Sequence, residues 1–470
     1  MRITMLVAND LVYDGRVRKT AATAASAGHR VRVLGLATRG AEPGERELDG
    51  AELRVLPLGD PGRARLLASR EALLRAKSAC QASKGELRAA AEKAKRRRGK
   101  ARGPAARLGR LLSERELARR RDAHERLVAE SERARAAHEA EKARYRRHVE
   151  QTGGLDRFAY TWLPELLAAP PPDVVHVHDY HGLEAAFQAV EHRRRRGSRT
   201  RVVYDAHEYL AGREAANGTG RPWVVEAEAR WAPLADAIVT VTPTIAAEFE
   251  RRWSLARPPV VIYNLPARLN RSRSPARGLR ALTGIGAHEP LVLYAGTSNE
   301  RRGLDVLVRA AALVDDVRLV LVVPRPDEVH TRQVLDLARD LGTGDRVHVA
   351  PLAPLEEIVP YLAEADVGAY TPRDDGVNHA ALPNKLFEYL HAGLGILVSD
   401  VGELGQFVRS TGVGVTHRPG DAHDCARALR RLLADPLRYR ERRAELVDRW
   451  SWEAQEEKLL ALYEELARPA

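Results

Sequence analysis

The feature that most constrains this 470-residue chain is a rhythm of short apolar runs, each followed by a helical stretch, that occurs in two blocks. Arg2 to Ala8 opens the first block, and the loop Asn9 to Gly15 leads into a helix expected over Arg16 to Ser26. Further strands are expected at Val31–Leu36 and Leu53–Leu58, then at Val174–His178, Arg201–Ala206, Ile238–Val241 and Val260–Tyr263. The second block places strands at Leu291–Ala295, Arg318–Val323, Val347–Ala350, Val367–Thr371, Gly395–Ser399 and Val413–Thr416. Strands that alternate with helices build parallel sheets covered on both faces. The expected fold class is therefore α/β, with two Rossmann-like domains. Leu265 to Leu279, with Pro266, Pro275 and many Arg and Ser, has linker composition. The domains are expected at 1–265 and 280–450, joined by a linker at 266–279.

One segment breaks the rhythm. Residues 63–150 are rich in Ala, Arg, Glu and Lys, and Tyr145 is their sole aromatic. Gly103 and Pro104 divide the segment, because proline lacks an amide hydrogen and clashes with the preceding turn. A long helical hairpin inserted in the first domain is expected, packed mainly on alanines and on Leu66, Leu67, Leu73, Leu74 and Leu87 in its first half and Leu108, Leu111, Leu112, Leu117, Leu127 and Val128 in its second, and frayed around Lys93 to Lys100. Over 61–150 there are 27 Lys and Arg against 12 Asp and Glu, a net of +15, whereas the whole chain carries +12. A partner chosen by long-range charge meets this segment first. Three readings stand: self-association or packing within the protein, an anionic membrane surface, and nucleic acid. The missing aromatic or groove-reading motif disfavours the last.

Cys80 and Cys425 give neither a disulfide framework nor metal-ligand spacing, which points to a reducing compartment. No apolar run approaches the ~18 residues that a membrane span needs. The expected location is cytoplasmic, with peripheral contact at the inner face of the membrane as the role left open to 63–150.

The stretch Gly376 to Asp400 carries the chemistry. Pro383 suits a helix start and Gly393 a left-handed stop, so a helix is expected over Asn384 to Ala392. Leu386, Phe387 and Leu390 share one arc, and Asn384, Lys385 and Glu388 lie opposite, near the helix start. Free amides, the positive end of the helix dipole and a lysine suit a phosphate, and a carboxylate one turn further in suits ribose hydroxyls. A solvated polar face is the plainer alternative. In the first block, two strand ends bear His and acids: His178 and Asp179, then Asp205, His207 and Glu208. Open α/β sheets place ligands at such carboxyl ends. The Gly-x-Gly-x-x-Gly fingerprint is absent, which disfavours a dinucleotide cofactor.

These motifs resemble glycosyltransferase family 4, the retaining GT-B enzymes. The stretch Glu388, Tyr389, Leu390, His391, Ala392, Gly393, Leu394, Gly395 resembles the family's "E-A/Y-x-A-x-G-x-P" signature, with Gly395 in place of its Pro. Ala380 stands where the family often carries an earlier Glu. The stretches around His178 and His207 resemble its "H-x-H-D" and "Y-D-x-H-E" segments. Of two basic residues in the family's "G-R-…-K-G" loop, this chain has Thr297 for the first and Arg302 for the second. The resemblance implies two domains facing a cleft and a terminal helix, 451–470, that returns toward the first domain, with Trp450, Trp452 and Tyr463 as anchors. It implies a metal-independent glycosyltransferase that moves a sugar from a nucleotide sugar to a hydroxyl acceptor (a glycan, lipid-linked or small molecule) with retention, and no cofactor beyond the donor substrate. The donor contacts implied are Gly15, Gly296, Arg302, Asn384, Lys385 and Glu388, with the backbone of Gly376, Val377 and Asn378. The catalytic candidates are Arg302, Lys385, His178, His207 and Asp179. A GT-B epimerase or hydrolase, and a degenerate scaffold or partner subunit motivated by Ala380 and Thr297, are the alternatives.

Overall fold

A computed structural model describes all residues except 13, 38–40, 99–102, 153, 213–221, 269–274, 276 and 469–470. It divides into two compact units, one of residues 1–57 with 161–470 and the other of 58–160. Half of the linker expected at 266–279, residues 269–274 and 276, lies outside the described residues.

The larger unit holds two sheets. The first takes β1 (Arg2–Leu6), β2 (Arg30–Leu36), β3 (Gly44–Leu48), β4 (Ala51–Leu56), β5 (Val174–His178), β6 (Arg201–Ala206), β7 (Ala237–Thr240) and β8 (Val260–Val261) in the order β3-β4-β2-β1-β5-β6-β7-β8. All its neighbours are parallel except β3 with β4. The sequence reading missed β3, and with reason: four of its five residues, Gly44 to Glu47, are exposed at the sheet edge and show no apolar alternation. The second sheet takes β9 (Leu291–Ala295), β10 (Arg318–Val322), β11 (Val347–Ala350), β12 (Val367–Tyr370), β13 (Gly395–Ser399) and β14 (Gly414–His417) in the order β11-β10-β9-β12-β13-β14, all parallel. Each order reverses direction beside its first strand, β1 or β9. The crevice outside the strand ends at such a switch point is where ligands sit in open α/β sheets.

The second sheet's strands are buried almost throughout and read as continuous apolar runs, as two-sided burial requires. One buried cluster surrounds this sheet, from Leu291 through Leu432. A second joins Ile3, Met5, Val31 and Val174 of the first sheet with Leu459, Leu462 and Tyr463 of the last helix, Glu453–Ala467, and with Trp452 just before it. Tyr463 Oη pairs with His176 Nδ1 at 2.6 Å, and Trp452 Nε1 donates to Thr23 Oγ1 at 2.9 Å. Trp450 instead stays with the second sheet, stacked on Phe387 at 5.5 Å between ring centroids. The terminal helix is Glu453–Ala467, preceded by a helix at Pro436–Leu446.

The smaller unit contains two long helices, α2 (Pro61–Arg98) and α3 (Pro104–Thr152). At 1.5 Å per residue they run about 57 and about 74 Å. Their seam is made of small residues: Ala76, Ala90, Ala94 and Ser113 are buried, beside Leu73. Ser83 Oγ meets His124 Nδ1 at 2.7 Å, and Ser69 Oγ meets His138 Nδ1 at 3.0 Å. Of the apolar residues expected to pack, Leu73 is buried and Leu66, Leu87, Leu117, Leu127 and Val128 are half-buried, whereas Leu67, Leu74, Leu108, Leu111 and Leu112 point outward, contrary to the sequence reading. The fraying expected from Lys93 is also absent as far as Arg98, where α2 ends; 99–102 lie outside the described residues.

Candidate active site

Helix α1 (Gly15–Ser26) starts where β1 and its loop deliver it, capped by Asp14, whose carboxylate accepts from Val17 N at 3.1 Å. Arg16 points inward and forks onto Asp205 at the end of β6, with Nε to Oδ2 at 2.9 Å and Nη2 to Oδ1 at 2.7 Å. Its remaining nitrogen, Nη1, donates to Ile262 O at 2.9 Å. A buried ion pair holds only when its remaining polar atoms are satisfied, as here. Burial opposes ionisation of Asp205, but Arg16 and then His207 hold its carboxyl well below the usual range.

Three histidines gather on this carboxylate. His178 Nδ1 lies 3.2 Å and His207 Nε2 3.5 Å from Asp205 Oδ2, and His176 Nε2 lies 3.8 Å away. His207 Nδ1 stands 3.4 Å from Asp179 Oδ2, and its backbone amide donates to Asp179 Oδ1 at 3.3 Å. Burial pulls the His207 pKa down, yet Asp179 and Asp205 lift it to about 9, so His207 is a cation at neutral pH. His178 goes the other way, to about 3, through burial and then its neighbour His176. Asp179 itself has φ 61°, a conformation that non-glycine residues rarely hold. His176, His178 and Asp205 bring three potential metal-ligand atoms within 4.8 Å of one another. Arg16 occupies both oxygens of that carboxylate and would repel a cation, so the trio does not fit a metal.

The second sheet contributes different chemistry. The helix Asn384–Ala392 forms as expected, with Pro383 at its cap and Gly393 at φ 80° closing it. Gly296, just after β9, has φ 140°, and a Cβ there would stand 2.0 Å from Lys385 Cε. The glycine thus seats the lysine stem. Lys385 makes no hydrogen bond or ion pair with the described residues. Burial lowers its pKa to about 8, against the pull of Glu388. Burial in turn raises Glu388, opposed by Lys385 and Lys19. Arg302 donates to Tyr370 Oη and lies over that ring at 5.6 Å, while its Nε is buried without a partner. Arg301, by contrast, is tied to Asp375 at 3.0 Å.

Two cavities adjoin across Asn264 and Asn384, which line both. One, of about 330 Å³, is bounded by Gly15, Lys19, Leu355 and Glu388. The other, of about 630 Å³, is bounded by Asp179, His207, Glu208, Arg302, Asn378 and Lys385. The structure therefore groups Gly15, Asn384 and Glu388 around the smaller cavity, and Asp179, His207, Arg302, Asn384 and Lys385 around the larger. Gly296 touches Lys385 from behind.

One expected residue falls elsewhere, and one expected donor is already engaged. His178 is buried beneath His207 and faces neither cavity, because its ring stacks on His176 at 4.4 Å. Asn378 lines the larger cavity, but its amide N–H is taken by Asp375 Oδ1 at 2.9 Å and its Nδ2 by Arg373 O at 2.8 Å. Gly376 and Val377 lie in the same short helix, Gly376–His379.

Sequence reasoning missed the pairing of Arg16 with Asp205, and it missed Lys19. Arg16 and Asp205 meet across 189 positions, which no local pattern reveals. Lys19, one turn beyond Arg16, donates to Asn264 Oδ1 at 3.0 Å and to Leu265 O below the Glu388 cavity. Burial and Arg16 lower its pKa to about 7.

Comparison with known proteins now places this geometry. The model described as Glycosyl transferases group 1 matches residues 289–435, the half with the unpaired cations, and the model described as Glycosyltransferase Family 4 matches 114–265. Both matches make the chain similar to glycosyltransferases of the family 4 type. A D-inositol 3-phosphate glycosyltransferase of Nocardia farcinica is 30% identical over 255 residues, 52% of this chain and 55% of that protein. One from Catenulispora acidiphila is 27% identical over 330 residues, 66% of this chain and 77% of its own. The chain spans about half the length of the first of the curated relatives it matches. Sucrose-phosphate synthase from Thermosynechococcus elongatus shares the fold at a TM-score of 0.66 and 18% identity, over 99% of both chains. Anabaena HepE, solved with UDP and glucose, does so at 0.60 and 13%, over 99% of this chain and 100% of its own.

Proposed function

We propose that the chain transfers a sugar from a nucleotide sugar to a hydroxyl acceptor, with retention at the anomeric carbon. One observation carries the reading: Lys385 and Arg302 converge on the larger cavity without carboxylate partners, at the start of the helix that bears Glu388. Cations left unpaired in a half-buried cleft are placed for an anion. In this reading Glu388 accepts from the ribose in the smaller cavity. Lys385 and Arg302 hold the diphosphate, and the sugar extends toward His207 and Asp179.

The leaving group is the diphosphate, and its negative charge grows as the glycosidic C–O bond breaks. Fixed cations that bind the departing diphosphate more strongly than the intact donor lower that barrier. Ala380 supplies no side-chain acceptor, and its carbonyl takes the Thr242 hydroxyl at 3.0 Å. The carboxylates that face the sugar space are instead those of Asp14, Asp179 and Glu208, on the opposite wall.

A thermal-shift panel of nucleotide sugars tests the donor, since a ligand at ~100 times its Kd adds ~2.7 kcal/mol of stability. Release of nucleoside diphosphate that depends on an added polyol acceptor, with a glycoside product, is the expected outcome. Free sugar without acceptor would instead mark a hydrolase, and binding with no turnover a scaffold.

A further inference from the structure

The 58–160 unit carries a feature that sugar transfer does not use. Leu108, Leu111 and Leu112, at the start of α3, are 60%, 58% and 55% exposed. At 100° per residue they fall within about 100° of arc, and Ser113, buried in the seam, points away from that arc. Arg107 flanks the arc, and Arg115 continues it one turn on, both exposed. Across the hairpin end, α2 finishes with Lys93, Lys95, Arg96, Arg97 and Arg98, all exposed. Over 91–98 and 103–115 eight Lys or Arg stand against two acids, Glu92 and Glu114. Of these acids, Glu114 is paired with Arg98 at 2.9 Å and Glu92 with Arg96 at 3.8 Å.

We propose that this end of the helical unit docks on an anionic lipid surface, with the three leucines entering the interface and the surrounding cations facing the headgroups. Two features select lipid over other anionic partners. A duplex or single-stranded nucleic acid has no use for an exposed leucine triplet and would call for aromatics or groove-reading side chains, whereas Tyr145, the sole aromatic of 63–150, is bonded to Asp60 at 2.9 Å. An amphipathic surface that pairs leucines with Lys and Arg matches the headgroup boundary, where apolar insertion and charge attraction act together. The charge is also local, +15 over 61–150 against −3 for the rest of the chain. No described helix is long and apolar enough to cross a membrane, so this contact is peripheral.

The test is co-sedimentation of the full chain with vesicles of phosphatidylcholine alone or with phosphatidylglycerol, in low and high salt. Binding is expected only with phosphatidylglycerol, weakening steeply as salt rises. A triple variant, Leu108→Ser, Leu111→Ser and Leu112→Ser, should lower the partition coefficient by about tenfold or more, the scale of three lost apolar insertions. A control, Leu67→Ser with Leu74→Ser, alters comparably exposed leucines (47% and 55%) on α2 and should leave binding unchanged. Circular dichroism checks that both variants keep their helices. No binding to anionic vesicles, equal binding to phosphatidylcholine, or equal loss in the control would each overturn the proposal. So would a concentration-dependent oligomer that the triple variant dissolves without altering vesicle binding, which would make the leucines a contact between copies. None of these outcomes bears on sugar transfer, which is assayed without vesicles.

Discussion

The two walls of the cleft handle charge in opposite ways. On the first sheet's side, Arg16 is committed to Asp205 through two hydrogen bonds, and His207 is held between two carboxylates. On the second sheet's side, Lys385 has no carboxylate within ion-pair distance among the described residues, and Arg302 leans on a phenol. On the first wall the charges are finished, each meeting its opposite at the strand ends. The second keeps its charges open, at a cost in desolvation that shows as the lowered pKa of Lys385. Incomplete pairing in a half-buried site is what a ligand completes.

The sharpest break between the walls should appear in stability. Arg16→Met leaves buried Asp205 without its bidentate partner, with only the histidines beside it, and should cost about 3–5 kcal/mol in chemical denaturation. Lys385→Ala should change stability by less than about 1 kcal/mol. Equal losses would erase the distinction.

Activity should divide the other way. Arg302→Ala and Lys385→Ala should each lower kcat by about 10²–10³-fold, the range for removing one preorganised group that meets developing charge. An effect confined to KM would assign both cations to ground-state binding alone. Glu388→Gln should weaken nucleoside diphosphate binding by about 1.5–3 kcal/mol, as a lost charge-assisted hydrogen bond does. Unchanged affinity by calorimetry in the folded variant would return Glu388 to a solvated face.

The smallest expected effect is on pH dependence. Free Lys385 loses its proton near pH 8, and a bound diphosphate raises that pKa. Affinity should therefore be flat below about 8 and fall above it, by up to about tenfold per unit. Lys385→Arg should flatten the profile, because guanidinium stays charged. A fall that persists in that variant would point to another group, Lys19 first among them.

The open wall was more legible in the sequence than the finished one. Pro383, Gly393 and the polar face of Asn384, Lys385 and Glu388 lie within eleven residues, so helix periodicity alone places them together. The sheet strands were legible for the same reason, being continuous apolar runs. The network on Asp205 draws on α1, β5 and β6, and its members find one another only through the parallel register that sets His178 beside Asp205. That register also buries His178, so a motif that reads as catalytic supplies a neutral ring under His207. The hairpin leucines failed for a related cause: composition gives the number of apolar residues, but the alanine seam decides which of them face solvent.

The central claim is that the unpaired cations of the second sheet await a diphosphate. Calorimetric titration of the full chain with uridine, and then with uridine, adenosine and guanosine diphosphates, measures it directly when repeated on Lys385→Ala. Wild type should bind its preferred diphosphate far more tightly than the bare nucleoside, and the variant should lose most of that advantage while its affinity for the nucleoside stays the same. An undiminished preference for the diphosphate in the variant would contradict the claim.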